Sequence, residues 1–183
     1  MRSLFALLML ACLFPGSGFA AEASIAPDFT LESVSGDPVT LSDVTAEQTV
    51  ILLFWATWCP YCKALMPHIQ SIRLEFGNEV RVLAVHFRDD KGDPAAFIEN
   101  AGYDFTVLRN GNDTAKLYEV WGTPGLLVID RNQRVRFNLY ELPKQDIPGY
   151  EDLSHPRRAA YRAPYWAAEI RKSLDVILSE TAR

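Results

Sequence analysis

The sequence predicts an α/β fold in which helices cover both faces of one central sheet. Short, continuously apolar runs are typical of strands buried on both faces, and they alternate along the chain with amphipathic segments typical of helices. The last two extended runs are separated only by Arg131-Asn132, which predicts an antiparallel hairpin at the end of the sheet. The length of 183 residues suits one domain with a sizeable core.

The start of the chain predicts an export signal. Arg2 is followed by an apolar run and then by small residues up to Ala20. An apolar run too short to span a bilayer, between a basic start and small residues, is typical of a secretory signal peptide. We expect residues 1–20 to be removed, with cleavage as late as Ala23 as an alternative, and residues 21–183 to form one exported domain, periplasmic in a bacterium with two membranes.

Composition disfavours several classes of function. The chain has 18 Lys and Arg against 23 Asp and Glu, and no basic stripe predicts a nucleic-acid partner. No later apolar run predicts a membrane span, so we expect no stable membrane insertion after cleavage. Two alternatives are less favoured. One is that the N-terminal apolar run is retained as a membrane anchor, and the other is that a lipid is attached at Cys12, which lies in a poor lipoprotein box. Without Cys12, only Cys59 and Cys62 remain, and one close pair indicates chemistry rather than a disulfide scaffold.

The elements follow in order along the chain. A lead-in over 23–43, punctuated by Pro and Gly, contains the two short extended pieces 28–31 and 39–41. The further predicted strands are 50–55, 80–87, 105–108, 125–130 and 133–139. The predicted helices are 60–76, kinked at Pro67, then 94–100 with Asp93 as its N-cap, 113–120, and 164–179. One face of the last helix carries Trp166, Ile170, Leu174 and Ile177.

A Cys-Pro-Tyr-Cys motif at residues 59–62 lies where a buried strand gives way to a helix. The unpaired N–H groups and positive dipole end of a helix N-terminus favour a thiolate over a thiol. The thiolate is the nucleophile of disulfide exchange. We therefore expect Cys59 to start the helix and to be exposed, and Cys62 to lie one turn in, close enough to form a redox-active disulfide.

Further segments accompany this motif. They are Ala26-Pro27-Asp28-Phe29-Thr30-Leu31, Val39-Thr40-Leu41-Ser42-Asp43, Phe54 through Lys63, Pro67, and Trp121-Gly122-Thr123-Pro124. With them the chain resembles the thioredoxin-like family. More narrowly, it is similar to the exported thiol-disulfide oxidoreductases of the TlpA and ResA type, which include proteins serving cytochrome c maturation. The resemblance covers roughly residues 26–139 and the last helix.

The resemblance implies a thioredoxin fold with a central mixed sheet, and a role as protein-disulfide reductase without metal or cofactor. Cys59 would attack a substrate disulfide and Cys62 would resolve the mixed disulfide. Protein substrates with disulfides or thiols are the expected partners, together with an upstream redox partner such as a membrane electron donor. A cis Thr123-Pro124 bond would present backbone to the substrate. The predicted substrate-binding residues are Trp58, Pro60, Tyr61, Thr123 and Pro124.

The chain departs from these relatives at two buried positions. Thioredoxin has an Asp six residues before the attacking cysteine, where this chain has Leu53. The TlpA and ResA type commonly has a Glu three residues after the resolving cysteine, where this chain has Leu65. Such a carboxylate helps to deprotonate the resolving thiol. The acid–base group is therefore unassigned, and water or a carboxylate elsewhere could serve.

Other functions use the same cysteines. A copper(I) metallochaperone would bind metal through Cys59, Cys62 and His86, because soft thiolates suit copper(I). A disulfide oxidant or isomerase would run the same exchange in another direction. A peroxidase would need a Pro-x-x-x-Thr-x-x-Cys pattern, whereas Thr57 stands only two residues before Cys59 and no Pro stands four before it.

A long loop is predicted over 140–163, before the last helix. It contains Pro143, Pro148 and Pro156 together with Tyr and Arg residues. Loops of this length in compact domains are often functional, and aromatic and Arg side chains are enriched in binding surfaces. We hypothesise that it borders the Cys59 groove and selects the partner protein. The alternative is a surface segment that only covers the sheet edge.

Overall fold

The computed structural model describes residues 24–181, in which helices lie on both faces of a five-stranded mixed sheet. The strands are β1 (Thr30–Glu32), β2 (Pro38–Thr40), β3 (Thr49–Trp55), β4 (Val80–His86), β5 (Thr106–Leu108), β6 (Gly125–Ile129) and β7 (Val135–Asn138). The helices are α1 (Leu41–Glu47), α2 (Pro60–Phe76), α3 (Pro94–Ala101), α4 (Asn112–Leu117) and α5 (His155–Thr181). The predicted signal peptide and Cys12 lie outside the described residues.

The large sheet has the order β5-β4-β3-β6-β7, with β3 at its centre. Strand β3 is parallel to β4 and antiparallel to β6. Its last residue, Trp55, pairs with His86, and Phe54 pairs with Gly125. The ends of β3 and β4 and the start of β6 therefore meet at one edge of the sheet. The cysteine motif follows β3 at this edge, and Thr123-Pro124 comes directly before β6.

Two apolar cores lie on the two faces of the sheet. Alternate residues of β3 enter each of them, as the period of two of a strand requires. Ile51, Leu53 and Trp55 join the core with α2, α3 and α5, which also contains both cysteines. Val50, Leu52 and Phe54 join the opposite core, with residues of α1 and the α4 region. All seven residues of β3 are buried, which explains the continuously apolar run from Val50 to Trp55.

The predicted fold class is confirmed: a thioredoxin-like mixed sheet flanked by helices, with a lead-in that forms the β1–β2 pair. Asp93 caps α3 as expected, because its carboxylate accepts the Ala96 N–H at 3.0 Å. The sequence analysis missed α1. This helix has seven residues and buries only Leu41 and Thr45, too few positions for a helical periodicity to be recognised.

The predicted loop over 140–163 is too long, because α5 begins at His155 rather than at Pro164. The sequence predicts Pro164 as the first helical residue, yet it lies inside the helix, where proline is disfavoured. The preceding turns are held by buried Ala159 and Ala163 and by Arg158, whose Nε donates to the Leu153 carbonyl at 2.9 Å. The connection from β7 to α5 includes short 3-10 turns at Leu139–Glu141 and Tyr150–Asp152.

Within residues 24–181, none of the helices is both long enough and apolar enough to cross a membrane.

Candidate functional site

The two cysteines form a disulfide at the N-terminus of α2. Cys59 is the N-cap, with extended backbone, and Pro60 occupies the first helical turn. The Cys59 Sγ accepts the N–H of Cys62 at 3.0 Å, and the two Cα atoms are 5.3 Å apart. Proline suits this position because its absent N–H would have no partner there. The motif thus directs an N–H donor of the first helical turn at the first sulfur.

The expectation that Cys59 is exposed is wrong. Cys59 is only 1% exposed and Cys62 is fully buried, and both belong to the core on the α2 and α5 face of the sheet. The Cys59 N–H donates to the Ala56 carbonyl at 3.1 Å, which turns the chain back toward β3. This turn exposes Trp58 instead, with 57% of its surface accessible. The apolar indole, and not the sulfur, is the main exposed feature before the helix.

The segment before β6 carries the expected cis peptide bond between Thr123 and Pro124. It is held from two sides, by Arg88, which the sequence analysis did not single out, and by Tyr140 of the predicted loop. The Arg88 guanidinium donates to the Trp121 carbonyl at 2.8 Å, and the Tyr140 hydroxyl bonds to both the N–H and the carbonyl of Gly122. Trp121 itself is 71% exposed. The 3-10 turn after β7 and the loop after β4 thus position the cis-proline segment.

A groove of about 390 Å³ brings together three of the five predicted substrate-binding residues: Tyr61, Thr123 and Pro124. Trp58 lines a different cavity, beside Thr57 and Arg88, and Pro60 lines neither. The other residues lining the groove come from the β7–α5 connection and from α5: Leu139, Tyr140, Leu142, Pro143, Lys144, Tyr150, Arg162 and Trp166. The segment hypothesised to border the reactive groove therefore lines the same groove as Tyr61 of the motif.

The buried carboxylate of Asp89 is hydrogen-bonded to Thr57, two residues before the cysteine motif. The Asp89 side chain is 5% exposed and accepts the N–H and hydroxyl of Thr57 at 2.7 and 2.5 Å and the N–H of Gly92 at 2.9 Å. Burial alone would raise the pKa of Asp89, but hydrogen bonds from Thr57, His86 and Gly92 lower it to about 2. An ionised carboxylate therefore holds the backbone two residues before Cys59.

Sequence reasoning missed Asp89, although a signal for it exists. An acidic residue follows the carboxyl end of β4, which is the parallel neighbour of β3. Functional side chains of α/β sheets collect at such strand ends. Leu53 and Leu65, the two positions that lack the family carboxylates, are fully buried.

The three ligands of the alternative copper(I) site do not come together in the structure. His86 Nε2 lies 3.1 Å from an Asp89 carboxylate oxygen, and the imidazole packs on the Trp55 ring at 5.6 Å between centroids. Cys59, Cys62 and His86 form no cluster, and no group of three His, Cys, Asp or Glu suited to a metal occurs among residues 24–181.

Comparison with known proteins decides the family. Residues 23–138 match the model of the AhpC/TSA family. The chain belongs to this family. It is 31% identical over 167 residues to the thiol-disulfide oxidoreductase ResA of Geobacillus thermodenitrificans, covering 85% of this chain and 95% of that protein. It is also 31% identical over 112 residues to the thioredoxin-like protein YneN of Bacillus subtilis, covering 60% of this chain and 65% of that protein.

A solved structure agrees with these relatives. The chain superposes with a TM-score of 0.58 on a crystal structure from Chlorobium tepidum assigned as the thiol:disulfide interchange protein DsbE. The two are 30% identical, and the match covers 78% of this chain and 96% of the other. The expected ResA-type resemblance is confirmed, and this member of the AhpC/TSA family is a thiol-disulfide oxidoreductase acting on protein thiols and disulfides.

Proposed function

We propose that this chain is an exported protein-disulfide reductase whose reacting groups are Cys59 and Cys62. The observation that carries the proposal is the placement of the cysteine pair at the N-terminus of α2, at the sheet edge where the cis Thr123-Pro124 bond precedes β6. A nucleophile at the same end of the strands as a partly exposed backbone segment suits attack on a disulfide in an extended polypeptide.

In the proposed reaction, the Cys59 thiolate attacks one sulfur of the substrate disulfide. A mixed disulfide forms, and the released substrate thiolate takes a proton from solvent. Cys62 then loses its proton and attacks the Cys59 sulfur, which releases the second substrate thiol and closes the Cys59–Cys62 disulfide. Two electrons pass from the dithiol to the substrate. The Cys62 N–H bonded to the Cys59 Sγ stabilises negative charge on that sulfur.

The substrate polypeptide would pair with the Thr123 backbone, beside Tyr61 and Pro124. Trp58 would supply an apolar contact next to the attacked disulfide. The reducing direction is supported by the burial of both sulfurs in an apolar core, which disfavours the thiolates of the reduced form. Strong oxidants of this chemistry have unusually stable thiolates.

The predicted signal peptide supports export, and an exported reductase needs an electron donor. An oxidising compartment would otherwise keep the pair as a disulfide. We propose that a membrane electron donor reduces it, and that the substrates include apoproteins of cytochrome c maturation. The name ResA of a relative and the name DsbE of a structural neighbour support an interchange role.

Trapping with single cysteine variants tests the roles. Cys62→Ser should accumulate mixed disulfides with substrate proteins, because the attacking sulfur remains and the resolving sulfur is absent. Cys59→Ser should accumulate none. The species are counted as band shifts on non-reducing gels that disappear with a reductant.

Two other outcomes would contradict the proposal. Equal trapping by both variants would refute the order of attack. If both variants trapped nothing and the wild type bound copper(I) through the pair, the metallochaperone function would replace the reductase.

A further inference from the structure

Two cations line the groove that also contains Tyr61 and Thr123. Lys144 comes from the β7–α5 connection and Arg162 from α5, and we call them the cation pair. The connection contributes apolar residues to the same groove as well, among them Leu142 and Pro143. The groove therefore combines apolar contact area with positive charge beside the reactive motif.

Neither member of the cation pair is neutralised within residues 24–181. The neighbouring Arg158 forms an ion pair with Glu151 at 3.4 Å, whereas Lys144 and Arg162 have no carboxylate at ion-pairing distance in the part of the chain described. Glu141 of the connection accepts a hydrogen bond from Asn138 at 3.3 Å. In a chain of net charge −5, the residues that line this groove include two cations and no carboxylate.

The Arg162 guanidinium is fixed in place. It lies 4.7 Å from the centroid of the Tyr150 ring, and its Nε donates to the Tyr150 hydroxyl. Tyr150 lines the same groove as Tyr61 of the cysteine motif. The two terminal amino groups of Arg162 have no acceptor among the described residues, so they remain as a two-pronged donor of the kind that binds carboxylates.

The charges also act on the motif itself. Burial and the neighbouring Tyr150 raise the pKa of Tyr61, and the nearby Arg158 and Arg162 lower it part of the way back. The guanidinium and the middle of the cysteine motif therefore belong to one connected cluster.

We propose that the groove binds an acidic side chain of the substrate polypeptide, located a few residues from the cysteine that Cys59 attacks. The carboxylate would take both free amino groups of Arg162, with Lys144 beside it. A polypeptide is the occupant because the groove contains Tyr61, Thr123 and Pro124, three of the proposed substrate-binding residues, and an acidic residue is complementary to the charge of the cation pair. The inference rests on the proposed function and names the substrate class that the site prefers.

Matched peptides test this preference. Each probe peptide contains one disulfide between two of its own cysteines. A single Glu stands at one of the four positions before the first cysteine or after the second. The matched peptide has Gln at the same position. The reduced protein is mixed with each peptide at low ionic strength, and the second-order rate constant of reduction is measured. For at least one position we expect the Glu peptide to react about two- to fivefold faster, the range for a solvent-accessible ion pair.

Variants assign the preference to the cation pair. The Glu-to-Gln rate ratio should fall to about one in Lys144→Gln/Arg162→Gln, and Lys144→Gln alone, at an exposed residue without a partner in residues 24–181, should lower it as well. Arg162→Lys should retain part of the ratio because it keeps the charge and loses the two-pronged geometry. Lys172→Gln, an exposed cation elsewhere on α5, should retain the full ratio.

The outcomes separate the inference from the function it rests on. A ratio near one at every position in the wild type, or a ratio that survives in the double variant, would overturn the inference alone. A protein that reduced neither member of any peptide pair would overturn the proposed function and this inference with it.

Discussion

At the scale of single residues, the Cys59 sulfur is held between two opposing influences. The N-terminus of α2 and the Cys62 N–H at 3.0 Å stabilise a thiolate, while burial to 1% exposure disfavours it. Lys63 lies over the Phe97 ring at 5.8 Å and forms no ion pair within residues 24–181. The balance favours a moderately acidic thiol rather than the very acidic thiol of a strong oxidant.

We predict that the pKa of the Cys59 thiol lies below the ordinary cysteine value of about 8.5 but well above that of strong oxidants. The rate of alkylation against pH in the Cys62→Ser variant reports this pKa without the coupled second thiol. A midpoint above the free-cysteine value would show that burial outweighs the helix terminus. A midpoint near that of strong oxidants would show the reverse.

Asp89 links the loop after β4 to the residue before Trp58. Its pKa of about 2 in the folded protein is below its ordinary value of 3.8. A lowered pKa in the folded state stabilises the protein above the unfolded-state value, and the contribution is lost as the pH falls toward the folded-state value. The stabilisation is therefore complete above about pH 4 and disappears near pH 2.

We predict that Asp89→Asn lowers the free energy of unfolding by about 2 kcal/mol at pH 7, because one pKa unit corresponds to about 1.4 kcal/mol. The difference from wild type should shrink as the pH falls from 4 to 2. Urea unfolding at a series of pH values measures it. Asp90→Asn, at the exposed neighbouring residue, should change stability by less than about 0.5 kcal/mol. A pH-independent loss in Asp89→Asn would contradict the electrostatic explanation.

The reacting residues could be predicted from the sequence, whereas the side chains that hold them could not. The cysteine motif and Thr123-Pro124 are contiguous patterns with a local mechanism. Arg88, Asp89 and Tyr140 act across 18 to 33 residues of chain, and only the strand register brings them to the motif and the cis-proline segment. The burial of Cys59 likewise depends on the core packed around α2, and not on its position as N-cap.

At the scale of elements, α5 differs most from its prediction. Proline is common at the start of a helix and costly in its interior, so the sequence favours Pro164 as the first residue of the helix. The additional turns form because Ala159 and Ala163 pack in the core and Arg158 caps the preceding carbonyls. These tertiary contacts overcome a local preference that sequence reasoning weighs more heavily.

We predict that Pro164→Ala raises the free energy of unfolding by about 1 to 2 kcal/mol. The exposed residue loses no core contact, the Ala160 carbonyl gains a helical partner, and the gain is reduced by the greater freedom of the unfolded chain. Pro156→Ala is the matched control, because that proline lies in the first turn of the same helix and should give no gain. Thermal or urea unfolding compares the variants. Equal effects at both prolines would contradict the interior position of Pro164.

At the scale of the whole molecule, the strand order explains why one edge of the sheet carries the chemistry. The β3 end supplies the cysteine motif, the β4 end supplies Arg88 and Asp89, and the segment before β6 supplies the cis-proline. The sequence predicted the parallel strands and the final hairpin, because each strand is a short apolar run of its own. It could not predict which side chains of the β7–α5 connection would line the groove.

The reduction potential of the Cys59–Cys62 pair tests the central claim most directly. The protein is equilibrated with a series of thiol redox buffers, and the oxidised fraction is measured at each potential. We predict a reducing value below about −200 mV, in the range of thioredoxin and the glutaredoxins. A value near about −120 mV, that of a strong disulfide oxidant, would contradict it.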